Sequence, residues 1–148
     1  MARLIAFALF ADERLEFGRG LSNEEDADLW QHDYTGDIQR WVFLGQPDES
    51  RIRKACGRAG QVVVVSYSGH GADIWWSKLE STVSRHRNLT VIDLPVADVE
   101  AATDLLERGM RLTAMIQDGE LQLMMARATT PRLGILKCRV RADHVCPK

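Results

Sequence analysis

Residues 28–59, DLWQHDYTGDIQRWVFLGQPDESRIRKACGRA, carry the pattern that decides the fold. Leu29 to Asp33 and Ile38 to Leu44 alternate in polarity, and they predict two strands joined by a tight turn in which Gly36 supplies a positive φ angle. Pro47, with acids directly after it, predicts the start of a helix rich in basic residues. The stretch therefore predicts a hairpin followed by a basic helix.

The rest of the chain alternates helices and strands. The run QVVVVSY from Gln61 to Tyr67 predicts a strand that is buried on both faces and parallel to its neighbours. The pattern further predicts helices at Ala2 to Phe17, Ala72 to His86 and Ala97 to Arg108, a strand at Leu89 to Leu94, and a hairpin from Met110 to Met124. This order predicts the α/β class, with a mixed sheet flanked by helices.

Length and composition limit the function classes. A chain of 148 residues with a net charge of -2 is one domain by length, and it lacks the basic excess of a protein that coats nucleic acid. Three cysteines without CxxC pairing favour a reducing compartment, so we expect a cytoplasmic protein. No apolar run is long enough to span a bilayer, so no membrane partner is expected. The apolar run LIAFALFA after Arg3 fits either a short signal peptide or a packed helix.

Acidic and basic side chains come together in the deciding stretch. Asp33 ends the first predicted strand, and Arg51, Lys54 and Arg58 recur at helical spacing on one face of the helix. Divalent cations bind carboxylates, and a nearby cation stabilises negative charge on phosphorus oxygens, so this combination suits metal-assisted phosphodiester cleavage. A solvated basic face is the alternative. The acids Glu24, Glu25, Asp26 and Asp28 are interpreted as a solvated loop.

The segments ADERLEF, WQHDYTGDIQRWVFLGQPDESRIRKACGRA, QVVVVSYSG, ADIWW and IQDG resemble the YaeQ family of bacterial proteins. The resemblance covers roughly Ala2 to Leu123. It implies a fold of the PD-(D/E)XK nuclease-like superfamily, with Asp33 as a ligand of Mg²⁺, Lys54 as the phosphate-stabilising cation, and Gln46 and Arg51 beside the site. It also implies an N-terminally truncated chain, because family members carry a segment ahead of the region that matches Met1.

One position departs from the family pattern, which has a glutamate where this chain has Phe43. Because Mg²⁺ is usually held by one or two carboxylates together with substrate phosphates, the metal site is expected to be weak and nuclease activity impaired. The alternative functions are a catalytically inactive module and a truncated product without function. The inactive module would bind nucleic acid or a protein through the basic helix and the pair Trp75 and Trp76. An apolar surface left uncovered beside the first helix would favour self-association.

The resemblance fades after Met125, so we divide the chain into a domain at 1–126 and a divergent basic tail at 127–148. The tail contains one predicted strand, from Leu133 to Val140, and is expected to pack weakly. Cys138, His144 and Cys146 are ligand types for zinc, but their spacing fits no standard zinc motif, so an altered chain end is the favoured interpretation.

Overall fold

The computed structural model describes residues 2–18, 26–83, 85–104, 111–117, 120–125, 132–137 and 139–143. The helices in these ranges are α1 (Ala2–Leu9), α2 (Glu49–Arg58), α3 (His70–Val83) and α4 (Val96–Thr103). The strands are β1 (Leu15–Phe17), β2 (Leu29–His32), β3 (Ile38–Leu44), β4 (Gln61–Ser66), β5 (Leu89–Asp93), β6 (Leu112–Gln117), β7 (Glu120–Met125), β8 (Arg132–Lys137) and β9 (Arg139–Asp143).

The larger sheet has six strands in the order β1-β2-β3-β4-β5-β9. The three inner strands β3, β4 and β5 run parallel, whereas β2 and β9 pair antiparallel with their inner neighbours. Val62 to Val65 of β4 are fully buried, which confirms the predicted strand with two buried faces. A run of β-branched residues suits this position because both faces of a parallel sheet are covered by helices.

Helices cover both faces of this sheet. The face that carries Trp41 and Phe43 packs against α2 and α3 through residues such as Ile52 and Val83. The opposite face carries Val42 and packs against α1 and α4. Adjacent residues of β3 therefore serve two separate cores, as the alternation of side chains along a strand requires. The architecture is the predicted α/β class.

A second, smaller sheet consists of β6, β7 and β8. Gln117 pairs with Glu120 across the predicted hairpin. Leu121 and Leu123 of β7 are buried in the same core as α1, so the small sheet packs on the α1 side of the molecule. An apolar hollow of about 420 Å³ lies between α1 and this sheet, lined by Leu4, Phe7, Ala8, Ala11, Ala114, Ile116 and Leu123. Self-association through this surface stays a prediction.

The first helix is shorter than predicted. It ends at Leu9 instead of Phe17, and residues Leu15–Phe17 form the edge strand β1. Asp12 turns the chain, since its carbonyl accepts from the Leu15 backbone N–H and its carboxylate accepts from that of Arg14. Leu15 then pairs opposite Gln31 of β2. Leu15 is buried, as a residue on the inner face of a helix would be, but it is buried as part of a strand. The prediction failed because local periodicity cannot reveal pairing with a distant strand.

The segment after residue 131 also differs from the prediction. One strand was expected from Leu133 to Val140, but the backbone forms two strands that join different sheets, β8 beside β7 and β9 beside β5. Both segments are thus paired with strands of the preceding region. The division of the chain at residue 127 stays a prediction, and Cys138, His144 and Cys146 lie outside the described residues. Across the described ranges, no helix has the length and hydropathy needed to cross a bilayer.

Candidate functional site

A pocket of about 240 Å³ lies between strand β3 and helix α2. Its lining combines cationic, polar and aromatic side chains, namely Trp41, Phe43, Asp48, Ser50, Arg51, Lys54 and Ala55. The sequence predicted Arg51 and Lys54 as site residues, and the structure brings these two together. The pocket is therefore the candidate functional site, and it is called the β3–α2 pocket below.

The start of α2 is fixed by Asp48. Its Oδ1 accepts from the Arg51 backbone N–H at 2.8 Å and from the Ser50 hydroxyl at 3.1 Å. These bonds, chiefly the one from Arg51, lower the pKa of the Asp48 carboxyl, although partial burial acts in the opposite direction. An aspartate at this position satisfies N–H groups that have no partner within the helix. Among the described residues that line the pocket, the one carboxylate is thus already used as a helix cap.

Two side chains from outside the pocket hold α2 in place. The indole N–H of Trp75 on α3 donates to the Pro47 carbonyl at 2.8 Å, directly before the cap. At the other end, Asn88 Nδ2 donates to the carbonyls of Cys56 and Ala59 at 3.0 Å each. Trp75 and Trp76 are also packed against the core below α2. Trp75 therefore has a structural role, whereas both tryptophans are only half-buried, and binding of a partner through the pair stays a prediction.

Two arginines of α2 lie over aromatic rings of β3. The guanidinium carbon of Arg51 is 5.2 Å from the centre of the Phe43 ring, and that of Arg58 is 5.7 Å from the Trp41 ring. Phe43 is 2% exposed and Trp41 is 3% exposed. Cation–π contacts of this kind fix long arginine side chains against an apolar surface. Arg51 and Arg58 thus contact the sheet, although Lys54 and Arg58 remain exposed to solvent.

Two buried nitrogen donors of this pocket have no hydrogen-bond partner among the described residues. They are Nε1 of Trp41 and Nε of Arg51. Native proteins satisfy the large majority of their buried polar atoms, so these two donors call for an acceptor, such as a water molecule or a ligand, from beyond the described residues. Both donors belong to residues that line the pocket. An acceptor of negative charge would also be attracted by Arg51 and Lys54.

Asp33 lies elsewhere, in the turn between β2 and β3. Its Oδ1 accepts from the Thr35 hydroxyl at 2.7 Å and from the backbone N–H groups of Thr35 and Asp37 at 2.8 and 2.9 Å. The Thr35 hydroxyl is the largest cause of the lowered pKa of this exposed carboxyl. Asp33 is not among the lining residues, and along β3 from Ile38 the nearest of them, Trp41, is about 10 Å away at about 3.3 Å per residue. The role of Asp33 as a metal ligand stays a prediction.

Gln46 is also outside the lining of the β3–α2 pocket. It is exposed, and its amide nitrogen lies next to Gly71, where an added Cβ would be only 3.3 Å away. The preceding Gly45 has a φ of 94°, and this turn carries the chain off the end of β3. Of the four predicted site residues, Arg51 and Lys54 lie together, whereas Asp33 and Gln46 lie apart from them.

The acid that meets the end of β3 is Asp28, which the sequence analysis assigned to a solvated loop. Its Oδ2 accepts from the Leu44 backbone N–H at 2.8 Å, one residue after Phe43. Its own N–H donates to the Val42 carbonyl, and its carbonyl accepts from the Gly18 N–H. Asp28 is therefore a structural residue that ties three segments together. The one feature of the sequence that indicated this structural role was the position of Asp28 directly before a predicted strand.

Comparison with known proteins identifies the family. A family model described as "YaeQ protein" matches residues 1–131, which is most of the chain. The chain belongs to the YaeQ family. It is 41% identical over 128 residues to "Uncharacterized protein YaeQ" of Salmonella typhi, covering 86% of this chain and 70% of that protein. The Escherichia coli (strain K12) relative of the same description is 40% identical over 124 residues, covering 83% and 68% of the two chains.

Solved YaeQ structures share the fold. The crystal structure of the YaeQ protein from Xanthomonas axonopodis pv. citri superposes with a TM-score of 0.86 at 51% identity, covering 95% of this chain and 77% of that one. The YaeQ protein from Pseudomonas syringae gives a TM-score of 0.81 at 22% identity, covering 95% and 75%, and supports the fold alone. The family and the α/β fold predicted from the sequence are thus confirmed.

The β3–α2 pocket is a poor match for Mg²⁺. Phe43 lines the pocket, and a phenyl ring has no atom that can ligate a metal. Mg²⁺ requires oxygen ligands in octahedral geometry, and the pocket offers the carboxylate of Asp48, which already caps α2. Within the described residues, no group of three or more His, Cys, Asp or Glu side chains is arranged to hold a metal ion.

Proposed function

We propose that this YaeQ protein binds nucleic acid through the β3–α2 pocket and does not cleave it with Mg²⁺. The observation that carries the proposal is the composition of the pocket. Arg51 and Lys54 line it together, and two buried nitrogens of lining residues have no acceptor among the described residues. The family resemblance further implies that Phe43 stands where relatives carry an acid. A phosphate oxygen is the acceptor that suits such a set of donors.

The local charge supports this proposal despite the acidic balance of the whole chain. Four of the ten residues of α2 are basic, at positions 51, 53, 54 and 58, against the single acid Glu49. The net charge of the chain is -2, so binding would depend on this helix and not on a general basic surface. Affinity for nucleic acid should then be moderate and should fall with salt, by a slope of about 0.7 per contacted phosphate for single strands.

The absence of a second carboxylate supports binding without cleavage. Phosphodiester hydrolysis by metal-dependent nucleases uses a bound cation to activate water and to stabilise the developing charge. Phe43 is 2% exposed and packed against Trp41, so it closes the floor of the pocket with apolar surface. An apolar floor supplies no oxygen ligand for a metal cation, whereas Arg51 and Lys54 in the lining attract an anion.

The test is a binding titration with matched variants. Fluorescence anisotropy is measured with labelled single-stranded DNA, double-stranded DNA and RNA at salt concentrations from about 50 to about 200 mM. The titrations give the affinity for each nucleic acid and its dependence on salt. Lys54→Ala should weaken binding and reduce the slope by the contribution of one phosphate, about 0.7 for a single strand. Lys78→Ala, at an exposed lysine of α3, should change neither.

Two results would contradict the proposal. Binding that is undetectable at low salt, or weakened equally by Lys54→Ala and Lys78→Ala, would show that the pocket is not the contact surface. Cleavage of the same oligonucleotides with Mg²⁺ or Mn²⁺ that disappears in Lys54→Ala would show that the site is an active nuclease in spite of Phe43.

A further inference from the structure

Strand β6 lies at an edge of the small sheet. The strand order there is β6-β7-β8, so β6 pairs with β7 on one side, and no other strand of the described ranges pairs with its second side. Edge strands present a row of backbone N–H and C=O groups that can pair with another strand. The second side of β6 can therefore accept a strand from another molecule.

The side chains of β6 lack the features that usually protect such an edge. Residues 113–117 are all exposed, and Met115 and Ile116 are 46% and 53% exposed. Natural edge strands are commonly shielded by charged residues, proline or a bulge, whereas β6 has the sequence LTAMIQ and pairs with β7 without a shift of register. The edge strand β1 of the large sheet, by contrast, has three residues and includes Glu16. An exposed, uncharged and apolar edge favours association.

We infer that β6 pairs with β6 of a second copy of this chain, antiparallel and about a two-fold axis at Met115. The two small sheets, of three strands each, then form one continuous sheet across the interface. A two-fold pair uses the same edge of both copies, so it closes and leaves neither β6 edge open to a third molecule. This inference goes beyond nucleic-acid binding, which uses the β3–α2 pocket.

The charges at the two ends of β6 suit pairing with its own copy. Arg111 directly precedes the strand, Asp118 directly follows it, and the residues between them are uncharged. In an antiparallel pair, the Arg111 end of one copy lies beside the Asp118 end of the other, whereas a parallel pair would bring equal charges together. Neighbouring positions fall within one Debye length, about 8 Å at physiological ionic strength, so the opposite charges attract.

The position of the axis at Met115 also suits the apolar hollow beside α1. In this register Ile116 of each copy lies opposite Ala114 of the other, and both residues line the hollow. Opposite residues of an antiparallel pair have Cβ atoms about 4.5–5.5 Å apart, so a large side chain meets a small one at the rim of the hollow. Pairing thus removes apolar surface of Ile116 from water, which the hydrophobic effect favours.

The experiment measures the mass of the protein by analytical ultracentrifugation over a range of concentrations, with hydrogen exchange of the β6 amides in parallel. A reversible dimer should form, and β6 amides should exchange more slowly at high concentration than at low. Met115→Lys places two ammonium groups at the two-fold axis and should weaken the dimer at least about tenfold, which is about 1.4 kcal/mol. Ile74→Lys is the matched control, because Ile74 is 45% exposed on α3, and it should leave the dimer unchanged.

Charge reversal tests the antiparallel arrangement. The Arg111 and Gln117 ends of β6 are about 20 Å apart at about 3.3 Å per residue, so the end charges do not pair within one copy. Arg111→Glu should weaken the dimer, and Arg111→Glu combined with Asp118→Arg should restore it. Arg111 precedes the strand, so this pair of variants also tests the inference if Met115→Lys does not fold.

Three outcomes would overturn the inference. The first is a monomer at every concentration. The second is a dimer whose β6 amides exchange equally fast at low and high concentration, because a different surface would then hold the copies together. The third is a dimer that Met115→Lys weakens no more than Ile74→Lys does, or that the double charge reversal fails to restore.

Discussion

Removal of the Asp28 carboxylate should destabilise the end of β3 by a predictable amount. Asp28 Oδ2 accepts from the Leu44 N–H at 2.8 Å, and both residues are half-buried. Asp28→Ala leaves this N–H without its acceptor. A fully buried unsatisfied donor costs about 1–3 kcal/mol, and partial access to water places the expected loss at about 1–2 kcal/mol. At about 2–4 °C per kcal/mol for a chain of this size, the melting temperature should fall by about 2–8 °C.

The assay is thermal and guanidinium unfolding followed by circular dichroism. Asp28→Asn is the matched control, because its amide oxygen can still accept from Leu44 and the main-chain bonds of Asp28 to Val42 and Gly18 are kept in both variants. We expect Asp28→Asn to lose less than half as much stability as Asp28→Ala. Equal losses in the two variants would attribute the effect to charge and refute the argument from the Leu44 hydrogen bond.

Three further predictions concern single side chains. Asn88→Ala should lower the free energy of unfolding by about 1–2 kcal/mol because the last turn of α2 loses two hydrogen bonds from the Asn88 amide. Asn88→Asp, whose carboxylate cannot donate, should lose at least as much stability. A clearly smaller loss in Asn88→Asp would contradict the donor role of Asn88. Asp33→Ala should destabilise the β2–β3 turn at neutral pH. Since the folded pKa of Asp33 lies below its ordinary value, this loss should be present above that value and disappear as the pH falls through the folded pKa, which pH-dependent melting can measure. Burial raises the pKa of Cys56 to about 11. In a Cys138→Ser, Cys146→Ser background, the Cys56 thiol of the folded protein should therefore react with iodoacetamide at pH about 8 far more slowly than that of the unfolded chain. Equal rates would show that the folded protein has an accessible thiolate.

The elements with strong local signals were predictable from the sequence. The turn at Gly36, the helix start next to Pro47 and the valine run of β4 each depend on neighbouring residues, so the hairpin, α2 and the central strand agree with the prediction. The segments that resemble YaeQ proteins also identified the family correctly. Helical spacing alone puts Arg51 and Lys54 on one face of α2, and both residues line the β3–α2 pocket.

Features that depend on pairing between distant segments were decided by the tertiary structure. Leu15–Phe17 joined β2 as a strand, and Asp28, not Asp33, met the end of β3, because strand register and loop contacts are set by partners far away in the chain.

The same holds for the pocket itself. The sequence by itself determined which residues are basic or aromatic and which helical face they share. Only the packing of α2 on β3 placed Arg51 over Phe43 and left the nitrogens of Trp41 and Arg51 buried without an acceptor among the described residues. The physical reason is that an unsatisfied donor is a property of a packed site: a side chain loses its water only when a distant element covers it.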